Sequence, residues 1–300
     1  MTLQQLARGG ASFAVRDLWQ DQSLTVEIQE RLSALGFLDP PADGKFGPVS
    51  LLAMQLFAAK AQMPNAEVID AACANALLNN TADTLFPITR GTDLASRVVQ
   101  FMLGKGYWVA RAPGYLSIVY VEGMNEDGAF NDDVPNHFND CRMVLAVEEG
   151  KPKILGRWEG TTEPGAHYTF TPENPKGAAR IALGQYKAWR VGTHFGGGSD
   201  PHEALVQVEN IKVHRDFDKN FKREDDALDV GVFHINQHWG FDNPVNNIGK
   251  ASAGCLVGRT RAGHRQFMQL IKSDPRYAAS NGYVFMTTVI AGEELRASMS

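Results

Sequence analysis

Cys255 closes a turn of small residues, Ser252-Ala253-Gly254, and the segment Phe233-His234-Ile235-Asn236-Gln237-His238-Trp239-Gly240 lies just upstream. A thiol attacks only as thiolate, so a working cysteine needs a base or cation beside it and an open approach. Small residues let the backbone come close to a substrate and leave amide N–H groups free to point at a developing oxyanion. Histidine followed by cysteine on a tight turn therefore points to acyl transfer. Free cysteine is also among the most buried residue types, which gives the plainer alternative of a small apolar core residue.

Positioning such a pair requires a strand and a turn. Val230 to Ile235 is an apolar, strand-like run. If the strand continues, His234, Asn236 and His238 share one face, and Phe233, Ile235 and Gln237 the other. Two imidazoles on one face make a zinc site conceivable, but no H-E-x-x-H motif or third ligand of recognisable spacing follows. Asp216-x-Asp218-x-Asn220 is ligand-like in spacing, yet Phe221 stands where a calcium loop needs glycine. No metal and no cofactor are expected.

The surrounding chain is strand-rich. Tyr115 to Val121 is β-branched and aromatic, and Arg142–Val147 and Ile154–Trp158 flank Glu148-Glu149-Gly150-Lys151-Pro152 as a hairpin. Further strands are expected at 178–183, 188–191, 204–208 and 283–290, with helices over 90–104 and 264–272. Gly192–Ser199 reads as a rim or lid, and Met124–Asn139 as a solvated acidic loop. Many short strands between turns predict an all-β sheet or sandwich over residues 81–300.

The chain has 300 residues, 44% hydrophobic and 21% charged, which suits one large or two modest soluble domains. A net charge of −5 offers no basic excess for nucleic acid. No apolar run is long enough for a membrane span, and Met1 to Gln20 lacks the apolar core of a secretory signal. Synthesis in the cytoplasm is expected. Cys73, Cys141 and Cys255 make an odd set without C-x-x-C spacing, so no disulfide framework is expected.

Helical periodicity governs the N-terminal third. Val26, Ile28, Leu32 and Leu35 predict a first helix stopped at Gly36; a second runs from Pro48 to Ala61 and a third from Glu67 to Leu78. Asp43-Gly44-Lys45-Phe46-Gly47 is the turn between the first two, and residues 79–84 are a polar linker. With Ile28-Gln29-x-x-Leu32, Leu35-Gly36-Phe37 and Ala53-x-x-x-Phe57, this stretch resembles the peptidoglycan-binding type 1 module. The resemblance implies a wall-binding groove that includes Asp43, Gly44, Phe46 and Gly47. Ser50 departs from the family's usual threonine. The division expected is an extension over 1–24, the module over 25–80 and a larger domain over 81–300, an α+β chain overall.

His238-Trp239-Gly240, then Ser252-Ala253-Gly254-Cys255 with seventeen positions from histidine to cysteine, resembles the L,D-transpeptidase catalytic domain. Ile235-Asn236-Gln237-His238 and Ser-Ala-Gly-Cys match a phage-associated branch of that family. The resemblance implies Cys255 as nucleophile toward a stem-peptide carbonyl, His238 as base, and Gly254 and Cys255 N–H groups as oxyanion donors. It makes Ser252 an orienting residue and puts Asn236, Trp239, Gly240, Ala253 and His234 around the substrate, with Trp189 a further candidate wall of the cleft. Ala253 replaces the family histidine, and the usual arginine two positions past the cysteine is Val257, which leaves Arg259 as the nearest candidate for a substrate carboxylate.

The leading expectation is a monomeric, cysteine-dependent peptidoglycan enzyme that cleaves stem-peptide bonds as a carboxypeptidase or endopeptidase. The missing export signal favours a lytic enzyme, an endolysin or a delivered effector that reaches the wall after release. The alternatives are an L,D-transpeptidase that forms cross-links, a non-catalytic wall-binding protein and a zinc peptidase.

Overall fold

Four helices open the chain, each started by a recognisable device. In this computed structural model, which describes residues 1–195 and 200–299, helix α1 (Leu3–Ala7) begins with a capping box on Thr2. Asp21 caps α2 (Gln22–Ala34) by accepting the Leu24 N–H, and Pro48 occupies the first turn of α3 (Pro48–Lys60). Asp70 caps α4 (Ala71–Asn79). These are the residue types that satisfy or remove orphan N–H groups at helix starts. The stretch 1–24, expected to be an extension, is part of this unit: Leu3, Leu6 and Leu18 are fully buried in one core with Ile28, Phe37 and Phe57. The bundle therefore has four helices rather than three. Val68–Ile69 (β2), expected to be helical, pairs instead with Phe13–Ala14 (β1).

The larger part holds eleven further strands among the described residues: β3 (Ser117–Glu122), β4 (Asp140–Glu148), β5 (Lys151–Thr161), β6 (Ala178–Ile181), β7 (Gly184–His194), β8 (His202–Gln207), β9 (Ile211–Asp216), β10 (Ala227–Gly231), β11 (Gln237–Trp239), β12 (Leu256–Gly258) and β13 (Phe285–Ala291). Eight close into a barrel in the order β11-β12-β5-β4-β3-β13-β7-β8, and β10-β9-β6 form a separate sheet. This corrects the expected sandwich. The β11–β8 seam rests on one registered pair, Gln237 with Leu205, a meeting of sheet edges that strand patterning does not specify. The α+β class holds.

Apolar residues line both faces of the barrel wall. Ile118, Tyr120, Trp189, Leu205, Leu256 and Val289 fill one side. Val119, Val121, Cys141 and Met143 pack outward under Val98 and Met102 of the helix Leu94–Gly104. Helices and barrel are joined by charges as well as apolar contact. Asp39 is fully buried, with Lys187 Nζ at 2.9 Å and Arg276 Nη1 at 3.4 Å. A buried carboxylate needs such partners, since ionising it alone is prohibitive.

Two expectations fail next to the chemistry. The strand expected over Val230–Ile235 ends at Gly231, and His234 sits in the left-handed region at φ +59°. His234, Asn236 and His238 therefore do not share one continuous strand face. Of the Gly192–Ser199 rim, Gly192 to His194 belong to β7, and Gly196 to Ser199 lie outside the described residues.

Candidate active site

His238 lies on β11 and Cys255 immediately precedes β12, and these two short strands run parallel. Their register sets His238 beside Val257 and Gln237 beside Leu256. Side chains alternate across a strand, so Cys255, two positions before Val257, falls on the His238 face. Packing agrees with this. Leu256 points into the barrel core, whereas Val257 and Cys255 join an outer cluster with Phe138 and Phe241. Cys255 and His238 both line an open cleft of about 690 Å³, together with Tyr168, Glu173, His194 and Arg215.

The turn that presents the thiol is braced from both sides. Ser252 Oγ accepts the Gly254 N–H at 3.0 Å and donates to the Cys255 carbonyl at 2.9 Å. Gly254 has φ +127°, and a β-carbon there would run into the Ala179 carbonyl oxygen. Glycine is thus required by backbone contact as well as by conformation. Beneath the turn, Gly165 N–H donates to the Ser252 carbonyl at 2.9 Å. Asn136 Oδ1 accepts from Ala166 and Gly249, and Asn136 N–H donates to Glu163 at 2.7 Å. Ser252 thus ties the backbone on either side of the bend. Gly254 N–H is not an oxyanion donor, because Ser252 already holds it.

Electrostatics at the pair describe a neutral resting state. Burial pushes the Cys255 thiol up to about 11, against a smaller opposing pull from the Asn236 backbone N–H, although the residue is half-exposed to the cleft. The sulfur donates to the His234 carbonyl at 3.7 Å. His238 is held well below an ordinary histidine, first by burial and then by the neighbouring His194. Its Nδ1 lies 2.7 Å from the Trp239 carbonyl. A carbonyl only accepts, so Nδ1 carries the proton and Nε2 keeps the lone pair of a base.

Cys73 and Cys141 are fully buried, and burial pushes both thiols up to about 12. They are the inert apolar cysteines of the plainer reading. Cys255 is the cysteine with access.

Several expected substrate contacts lie elsewhere. Arg259 Nε pairs with Glu159 at 2.5 Å and its Nη1 donates to the Asn243 carbonyl, and it does not line the cleft. The cations that do are Arg215, paired with Asp229 at 3.2 Å, and Lys250. Trp239 is buried against His202, ring centroids 3.7 Å apart, and lines a separate cavity of about 310 Å³. Trp189 is fully buried and donates to the Ile235 carbonyl. Gly240 fits where a side chain would strike Phe138. Asn236 does not line the cleft, and its amide bonds Gln207 N–H and His194 Nδ1. Ala253 and His234 line the cleft.

His194 is the residue the sequence did not single out as part of the site. It stacks on His238 with centroids 3.9 Å apart and planes 7° from parallel. Nothing local links it to a histidine 44 positions on.

In the N-terminal turn, Gln29 is the organising side chain. Its Nε2 donates to Asp43 Oδ1, the Lys45 carbonyl and Ser50 Oγ, and its Oε1 accepts from the Asp43 and Gly44 N–H groups. Phe46 packs against the helical core. Asp43 and Gly47 border a cavity of about 860 Å³ shared with Lys187 and Tyr283 of the barrel side.

For metals, Asp216, Asp218 and Asp226 are the group of described residues whose ligand atoms lie within 4.8 Å of one another. Asp216 accepts from the Asn220 and Phe221 N–H groups, the bonding of a self-contained loop. No helix among the described residues is long and apolar enough to cross a membrane.

No family model matches the chain, and no curated protein matches it. A solved structure of a fused Zn-dependent amidase/peptidase/peptidoglycan-binding domain-containing protein from Clostridium acetobutylicum aligns over 93% of this chain and 99% of its own. The identity is 13% and the TM-score 0.29, too low for that likeness to carry an argument about fold or activity.

Proposed function

We propose that this protein is a cysteine-dependent peptidoglycan enzyme that cleaves or exchanges stem-peptide bonds through a thioester on Cys255. The observation that carries the reading is the placement of His238 on β11 and Cys255 at the entry to the adjacent parallel strand β12, both opening to one cleft, with Nδ1–H of His238 held by the Trp239 carbonyl so that Nε2 carries the lone pair. The motif resemblance supplies the substrate class. The separate resemblance of the N-terminal helices to the peptidoglycan-binding type 1 module supports wall binding, and the reading takes the protein as a monomeric lytic enzyme that acts on the wall after release or delivery.

With a neutral thiol and a neutral imidazole, proton transfer accompanies attack instead of preceding it. Cys255 sulfur forms a bond to the stem-peptide carbonyl carbon, the carbonyl π pair moves to oxygen, and the thiol proton passes to His238 Nε2. Collapse restores the carbonyl and breaks the C–N bond, and His238 returns the proton to the departing amine. Water then attacks the thioester and releases the thiol, giving carboxypeptidase or endopeptidase action. An amine in place of water gives exchange or cross-linking.

The test compares purified sacculi incubated with wild type and Cys255→Ser, with muropeptides identified by mass. Wild type is expected to shorten or exchange stems, and the variant to lose roughly 10³-fold or more of that activity. Identical profiles from the two proteins would falsify the thioester reading. Loss of activity with a chelator but not with a thiol alkylator would replace it with the zinc peptidase.

A further inference from the structure

With Gly254 N–H bonded to Ser252, the turn keeps the Cys255 N–H as its backbone donor for the oxygen that becomes an anion when a carbonyl is attacked, and a second donor must come from a side chain. The Asn236 amide indicates where one lies. Its Oδ1 accepts the Gln207 backbone N–H at 3.0 Å, which fixes the amide orientation and turns Nδ2 toward His194 Nδ1, 3.0 Å away. An amide NH₂ only donates, so His194 Nδ1 must accept. The proton of the neutral ring is then on Nε2.

The two stacked imidazoles therefore hold opposite tautomers. His238 presents a lone pair at Nε2 because its Nδ1–H donates to the Trp239 carbonyl. His194 presents an N–H at Nε2 because Asn236 occupies its Nδ1. His194 lines the same cleft as Cys255, and no hydrogen bond joins its Nε2–H to another described residue. Burial, and then the neighbouring His202, lower His194 to about 4, which keeps the ring neutral at ordinary pH. A neutral donor also leaves the adjacent base free of a repelling charge.

We infer that His194 is a catalytic residue of this cleft, donating its Nε2–H to the oxyanion formed when Cys255 attacks an acyl carbonyl, with Asn236 as the positioning residue that fixes its tautomer. This rests on the thioester reading above. It assigns the stacked pair two jobs: His238 moves the proton and His194 stabilises the charge.

Two reagents separate those jobs on the full-length protein without needing the natural substrate. Iodoacetamide alkylates the sulfur by displacing iodide and forms no oxyanion. p-Nitrophenyl acetate acylates it through a tetrahedral oxyanion that expels p-nitrophenolate. Cys255→Ala supplies the background rate for both. His194→Phe keeps a flat ring on His238 and removes the N–H; acylation is expected to fall roughly 10²-fold while alkylation stays within about twofold. His194→Gln, which keeps an amide N–H, is expected to restore at least about a tenth of the acylation rate.

An unchanged acylation rate in His194→Phe, or a parallel loss of both reactions, overturns the assignment, because a residue that merely supports His238 behaves in one of those ways. Should His194→Phe not fold, Asn236→Leu releases the tautomer and leaves the stack. It is expected to lower the acylation-to-alkylation ratio roughly threefold or more, and an unchanged ratio overturns the assignment. If wild type and Cys255→Ala react alike with both reagents, the thioester reading falls as well. Failure on sacculi alone removes the stem-peptide substrate and leaves the role of His194 standing.

Discussion

The Asp43–Gly47 turn and the Ser252–Cys255 turn are both glycine turns tied by a buried polar side chain, and they differ in what the tie leaves over. Around Gln29, both ends of the amide are engaged with the turn and the following helix, so Asp43 serves the loop that carries it. Around Ser252, one hydroxyl bonds the backbone on either side of the bend, and the thiol is left facing a cleft. The first turn is knitted shut by its polar groups. The second is held in shape with its thiol on the cleft, tied only by the long 3.7 Å bond to the His234 carbonyl. A turn motif is thus evidence for shape, and evidence for chemistry only where a reactive atom faces open space.

The sharpest way to break that comparison is to add one methyl group to each turn. Gly254→Ala places a carbon against the Ala179 carbonyl at a φ of +127°, where neither the backbone nor the conformation can give easily. A loss on the order of 3 kcal/mol is expected, along with collapse of Cys255 acylation. Gly44→Ala, at φ +71°, meets Gln22 Cγ at 2.8 Å, a flexible side chain able to move. About 1–2 kcal/mol is expected there, with acylation unchanged. Urea midpoints and the p-nitrophenyl acetate assay read both. Equal effects from the two substitutions would remove the distinction.

Next in size is Gln29→Ala. Gln29 is 2% exposed, so its loss strands the Asp43 and Gly44 N–H groups and the Ser50 hydroxyl. About 2–3 kcal/mol of destabilisation is expected, measured as a lower urea midpoint, with turnover of a soluble stem peptide unaltered.

The support beneath the cysteine turn gives a pH test of similar size. Burial, opposed by Arg180, raises the Glu163 carboxyl from the 4.5 of a free glutamate to about 7. The folded protein then holds a proton that the unfolded chain has released between those values. The stability contributed by this group is fully present below about pH 4.5 and is lost as pH rises through about 7. Relative to Glu163→Gln, wild type is expected to lose about 3 kcal/mol between pH 5 and 8. Parallel stability curves for the two proteins would contradict this. Comparison with the variant is needed because the buried histidines His194, His238 and His264 have lowered values. Their contribution runs the other way, with stability lost as pH falls below the ordinary histidine range.

The smallest effect is expected at Arg259. Being tied to Glu159 and away from the cleft, Arg259→Ala is expected to change KM for a stem peptide less than about twofold. A tenfold rise would return the substrate carboxylate to that residue.

Much of the local structure was legible in the sequence because its causes are local. Pro48 and the glycine after Leu35 bounded helices by their own backbone preferences, and the 142–158 hairpin followed from alternating β-branched residues around Glu149-Gly150. Ser252-Ala253-Gly254-Cys255 could be recognised as a close-approach turn from residue size alone. The burial of residues 1–24 was not legible, since a five-residue helix carries too few periods to register as a pattern.

What the sequence by itself determined, then, is the pair of chemical groups and the tightness of the turn: a thiol, an imidazole and three small residues at fixed spacing. Tertiary structure decided which other groups meet them. Closure of β8 against β11 brings the end of β7 alongside His238, and so stacks His194 on it; the packing of β12 against β5 gives Arg259 to Glu159 instead of to the cleft. The physical reason is that side-chain identity and backbone preference are encoded residue by residue, whereas which strand edges meet is set by the free energy of the whole barrel.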